Sequence, residues 1–112
     1  VIRSLCESEM QRLVEIAQAA PDATSALEEI SIEISADKAL AAMRRQDPDS
    51  LTIALSAQTD MLWKAFSIAM AHLLGKEKSE LATRWLIGQA LHPITPAQSR
   101  AQAEAITAIA NL

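Results

Sequence analysis

Apolar residues recur at every third or fourth position along most of the chain, a spacing that places them on one face of an α-helix. In the first segment this spacing links six positions: Ile2, Cys6, Met10, Leu13, Ala17 and Ala20. Pro21 and Asp22 then interrupt the pattern. The pattern therefore predicts a first helix over residues 2–20.

The second segment contains a stretch with the period of a β-strand. Residues 29–35 alternate polar and apolar side chains and include three isoleucines, which is typical of a half-buried strand. The residues on both sides have strong helical propensity, and a single strand would have no partner. We therefore expect one helix that begins at a capping box formed by Ser25 and Glu28 and continues to about residue 45, with a strand over 29–35 as the alternative.

The third segment is the longest and the most apolar. Asp47 can cap a helix that has Pro48 at its first position, and Gly75 can end it in the left-handed conformation. Apolar side chains cover about 240° of the helical wheel between these residues. The pattern predicts a long central helix over about 48–74, surrounded by other helices or by a second subunit. The candidate interface residues share one shoulder of this apolar arc: Trp63, Met70 and Leu74.

Two further helices are predicted in the last third of the chain. Ser79 is a candidate cap for a helix that ends near Leu91, and Thr95 with Gln98 forms a capping box at the start of a final helix. The whole chain, residues 1–112, is thus expected to be a single-domain, all-α bundle of about five helices.

Composition supports this fold class. Half of the residues are apolar and 22 of the 112 are Ala, the residue with the highest helix propensity. Cys6 is the only cysteine, which excludes an intrachain disulfide framework and favours a reducing compartment. Polar residues interrupt the most apolar window, and no signal peptide is recognised, so we expect a cytoplasmic protein without a membrane span.

The motifs of common enzymes are missing from the sequence. The two glycines, Gly75 and Gly88, cannot form a Gly-rich phosphate loop, and His72 and His92 are too far apart for a paired-histidine metal motif. The acidic residues of the second segment lack the Glu-x-x-His partner of carboxylate metal bundles: Glu28, Glu29 and Glu33. We therefore expect no enzymatic activity, no metal and no cofactor.

Residues 69–88 resemble a helix-turn-helix motif, because Ala71 lies four residues before Gly75 and permits a tight turn between two helices. The basic residues that would contact DNA phosphates follow the turn: Lys76, Lys78 and Arg84. Lys76 stands where the motif normally has an apolar residue, and two glutamates lie among the bases. Charge is also uneven along the chain, since residues 1–60 carry eleven acidic and five basic side chains and residues 61–112 carry three and five.

The sequence thus favours a non-catalytic helical protein–protein interaction module. We expect a self-associating adaptor or regulatory subunit, a homodimer or a partner of another helical protein. The alternative hypothesis is a helix-turn-helix DNA-binding regulator that uses residues 69–88.

Overall fold

Helices make up nearly all of the structure, a computed structural model that describes the backbone of residues 2–56 and 61–109 and the side chains of residues 8–56 and 63–109. Within those ranges there is no strand, and the helices are α1 (Ile2–Ala19), α2 (Ala23–Ala36), α3 (Lys38–Gln46), α4 (Pro48–Ser56), α5 (Met61–Leu74), α6 (Lys76–Leu91) and α7 (Pro96–Ala108). The all-α fold class is confirmed. The number of helices is larger than the five expected.

The ambiguous residues 29–35 are helical, as expected. Ile30 and Ile34 lie one turn apart on the buried face of α2, together with Leu27. The start of this helix differs from the prediction, because Asp22 rather than Ser25 is the N-cap and its Oδ1 accepts a hydrogen bond from the backbone N–H of Ser25 at 2.7 Å. Asp and Ser are both good caps, and the chain uses the earlier one.

The helix expected to continue to residue 45 is divided at Asp37. The backbone of Asp37 is extended, and its side chain caps α3 by accepting a hydrogen bond from the N–H of Leu40 at 2.8 Å. An aspartate can offer its carboxylate to the free N–H groups of a new helix, which competes with continuation of the old one. This local competition produces a separate α3.

The long central helix predicted over 48–74 is also replaced by two elements, α4 and α5, with residues 57–60 outside the described part of the chain. Both predicted ends are correct. Asp47 accepts a hydrogen bond from the N–H of Ser50 at 3.2 Å, and Gly75 has a φ of 83°. The apolar arc that was calculated for one continuous helix is therefore shared between two helices.

The last two helices begin at different kinds of cap. Thr95 and Gln98 form the predicted capping box of α7. Ser79 does not cap α6, which begins at Lys76 with Gly75 in the N-cap position. Ser79 is buried inside the helix, and its hydroxyl donates to the carbonyl of Lys76 at 2.8 Å.

The core forms where α2 packs against α6 and α7 and where α5 packs against α1 and α6. Its larger apolar side chains come from five helices: Leu13, Leu27, Ile30, Ile34, Phe66, Met70, Leu86 and Ile106. The radius of gyration is 13.3 Å, which matches the value of about 13 Å expected for a compact domain of this length. None of the helices in the described residues is long and apolar enough to span a membrane.

A polar seam crosses this core. The hydroxyl of Ser31 on α2 hydrogen bonds to Gln89 Oε1 on α6 and lies 2.6 Å from Ser99 Oγ on α7. Ser35 adds a second bond to Gln89 Oε1 at 3.1 Å and accepts from the N–H of Ile94 at 3.2 Å. Buried polar groups need such partners, so the seam sets how these helices meet.

Candidate functional site

A groove runs along the outer side of the hairpin that α5 and α6 form around Gly75. The hairpin turn is tight, because Gly75 is the single residue between the end of α5 and the start of α6. The groove has a volume of about 650 Å³, and both helices line it. Its lining residues are Ser67, Ile68, Ala71, Lys76, Ser79, Glu80, Thr83, Arg84 and Ile87.

Ile68 is the most unusual side chain of this surface. It lies near the middle of α5, a helix composed mostly of apolar residues, and is 60% exposed. It also lines a second groove of about 570 Å³ on the other side of α5, against Val14 and Gln18 of α1. Ile68 therefore forms the crest of a ridge with a groove on each side. A helix from another protein could pack over such a ridge.

Three charged side chains form a row along α6 at the edge of the first groove. Lys76, Glu80 and Arg84 are spaced four residues apart, so they lie on one helical face. All three are exposed. Among the ion pairs of the described side chains none involves a member of this row. The row therefore presents alternating charges to whatever contacts the groove.

The structure places the three interface candidates from the sequence on the inner side of α5. Met70 is fully buried in the core, and Trp63 and Leu74 are half-buried against that core. The ring of Trp63 meets Phe66 edge-on, with ring centroids 6.2 Å apart. Ile68, on the opposite edge of the same apolar arc, is 60% exposed. The helical wheel identified the apolar arc, but not which part of it the other helices would cover.

The three basic residues that would contact DNA phosphates do not lie on one face of α6. Lys76 and Arg84 share the groove, whereas Lys78 lies on another side of α6. The Nζ of Lys78 donates to the carbonyl of Thr107 at 3.2 Å, in the last turn of α7. A cation is favourable there because carbonyl groups at the end of a helix lack intrahelical partners.

The remaining titratable candidates lie at or near the surface. His72 lines the second groove, and His92 follows the end of α6; both are exposed. Glu28 pairs with Arg100 at 2.9 Å and Glu33 pairs with Arg12 at 3.0 Å. No group of three or more potential metal ligands occurs within the described ranges. The side chain of Cys6 lies outside them.

The Glu9 carboxyl has a raised pKa. A hydrogen bond to the Asp37 carboxyl, with partial burial and the negative charge of Asp37, raises the pKa of Glu9 to about 6, against a smaller opposing effect of Arg12. The same Asp37 side chain caps α3. This pair therefore links α1 to the junction of α2 and α3.

A cavity of about 100 Å³ lies beneath α4 and α5, among side chains that are almost all apolar. Of its described lining residues, only Glu9 and Thr83 carry a carboxyl or hydroxyl group. Ligand sites usually combine an apolar pocket with several convergent polar groups. This cavity has too few of them to define a ligand.

Comparisons with known proteins do not assign the chain to a group. It matches no protein-family model, and neither the curated proteins nor the solved structures contain a significant match.

Proposed function

We propose that this chain is a non-catalytic helical interaction module that self-associates through the outer surface of α5 and α6. The observation that carries the proposal is the 60% exposure of Ile68 on a ridge between two grooves. Complete burial of such a side chain contributes about 1.5–3 kcal/mol. Ile68 is already partly buried, so a partner that covers the ridge would gain only the exposed 60% of this contribution, about 1–2 kcal/mol, and would fill both grooves.

A second copy of the chain is the occupant that the charges favour. The row formed by Lys76, Glu80 and Arg84 contains both signs, so it can complement a copy of itself. A strongly acidic or strongly basic partner would meet at least one like charge along this row.

The test is the oligomeric state of two matched variants. Ile68→Asp places a charge on the ridge, and Ile53→Asp makes the same change on α4 at a residue that is 70% exposed. Both side chains are largely outside the core, so both variants should fold. We expect wild type and Ile53→Asp to be dimers at concentrations where Ile68→Asp is a monomer, measured by size-exclusion chromatography with light scattering.

Two results would count against the proposal. Wild type could remain a monomer at about 50 μM, well above the concentrations at which specific complexes form. Alternatively, Ile68→Asp could dimerise as well as Ile53→Asp, which would move the interface away from α5.

DNA binding is the second candidate function. The observation in its favour is the hairpin of α5 and α6, which carries Lys76 and Arg84 on one exposed face. Glu80 lies between these two residues and Glu77 beside them, so the face has no net charge. Phosphate neutralisation needs an excess of bases, and for this reason self-association is the function that we favour.

A further inference from the structure

We infer that two copies of this chain pair through antiparallel α6 helices, so that each Glu80 faces the partner's Arg84 across a two-fold axis. This inference rests on the proposed self-association and specifies its geometry. Each α6 would lie along the groove between α5 and α6 of the other copy. The interface would then contain two identical ion pairs, one on each side of the axis.

Symmetry and the position of the groove determine this register. A two-fold interface brings one surface against itself. The α6 residues that line the groove run from Lys76 to Ile87, and the midpoint of this stretch lies between Glu80 and Arg84. Two antiparallel copies centred on that midpoint place Glu80 of one chain opposite the partner's Arg84.

Two other arrangements of the same two helices are electrostatically worse. A parallel pair in register would bring each charge of the row against the same charge of the copy. An antiparallel pair centred on Glu80 would oppose the two Glu80 carboxylates and would face Lys76 with the partner's Arg84. Like charges placed opposite one another disfavour an interface. An antiparallel pair centred between Lys76 and Glu80 would also match opposite charges, but α6 begins at Lys76, so only residues 76–80 of the two helices would overlap. Charge and helix overlap together therefore select the register centred between Glu80 and Arg84.

Gly88 supports the same register independently of the charges. It is exposed on α6 one turn after Arg84, and an added Cβ would meet nothing within 4 Å. The fold of the single chain therefore does not require glycine at this position, where glycine weakens a helix. In the proposed register Lys76 faces the partner's Gly88, where the absence of a side chain leaves room for the long lysine stem.

Charge reversal tests the pairing directly. Glu80→Arg opposes two arginines at each pair, and Arg84→Glu opposes two glutamates. Each variant alone should raise the dimer dissociation constant at least about tenfold in about 50 mM salt, with a smaller effect at high salt where exposed charges are screened. Sedimentation equilibrium of the purified variants measures this constant, and circular dichroism checks that each variant is folded.

An equimolar mixture of the two variants should recover dimerisation. The mixed dimer again has one arginine and one glutamate at each pair, so its dissociation constant should return to within about threefold of wild type. Controls are Glu29→Arg on α2 and Arg45→Glu on α3. Both side chains are exposed away from the groove, and neither change should alter dimerisation.

The outcomes separate the two proposals. If wild type dimerises through Ile68 but the charge variants dimerise normally, or their mixture fails to recover, the antiparallel register is overturned and self-association stands. If wild type is a monomer, both proposals fail.

Discussion

Glu9 and Asp37 form a contact whose strength depends on pH. Protonated Glu9 donates a hydrogen bond to the Asp37 carboxylate, whereas two ionised carboxylates repel each other. The pKa of Glu9 rises from its ordinary value of 4.5 to about 6 in the folded chain. The folded pKa lies above the unfolded pKa, so the stabilisation is complete below about pH 4.5 and is lost as the pH rises through about 6.

We predict that Glu9→Gln removes this dependence on pH. The amide keeps a donor for Asp37 and does not titrate, so its advantage over wild type in free energy of unfolding should grow between about pH 4.5 and pH 7. Urea denaturation at several pH values measures this difference. Glu15→Gln is the control, because Glu15 is exposed on the same helix. Parallel pH profiles for wild type and Glu9→Gln would contradict the prediction.

At the scale of helices, the polar seam decides how α2, α6 and α7 meet. Ser31, Gln89 and Ser99 are buried, and their hydrogen bonds join three helices that are distant in sequence. No buried side-chain N or O atom lacks a hydrogen-bond partner within the described residues. A shifted packing of these helices would leave such atoms unpaired, which gives the seam a role in selecting one arrangement.

We predict that Ser31→Ala destabilises the fold by about 1–3 kcal/mol, because Gln89 and Ser99 would each lose a buried partner. Chemical denaturation followed by circular dichroism measures the change. Ser8→Ala is the matched control. Ser8 is exposed on α1, away from the groove, and its loss should change stability by less than about 0.5 kcal/mol. An equal effect of the two substitutions would show that the seam contributes nothing specific.

For the molecule as a whole, the position of the charges distinguishes the two candidate functions. Lys78 is engaged at the end of α7, and Glu77 and Glu80 balance Lys76 and Arg84 on the exposed side of α6. Even in a dimer this surface would have little net attraction for phosphates.

We therefore predict no binding to duplex DNA at about 50 mM salt, a concentration at which counterion release strongly favours DNA-binding proteins. Fluorescence anisotropy with a labelled duplex provides the measurement. Binding that weakens with salt and disappears in a variant with both Lys76→Glu and Arg84→Glu would instead support the helix-turn-helix hypothesis.

The sequence by itself determined the features that depend on near neighbours in the chain. The helical class follows from apolar spacing and alanine content. The caps at Asp47 and Thr95 and the turn at Gly75 need only a side chain or a backbone conformation within three or four residues. Even here, equivalent local signals compete, and for this reason Asp22 and Asp37 set helix ends that the pattern alone placed elsewhere.

Only the tertiary structure decided which apolar residues remain uncovered. Met70 and Ile68 belong to the same apolar arc, yet one is fully buried and the other is 60% exposed. The division of the arc between α4 and α5, and the packing of α5 between α1 and α6, determine this difference. Burial depends on helices that are distant in sequence, and the period of a single helix contains no information about where they pack.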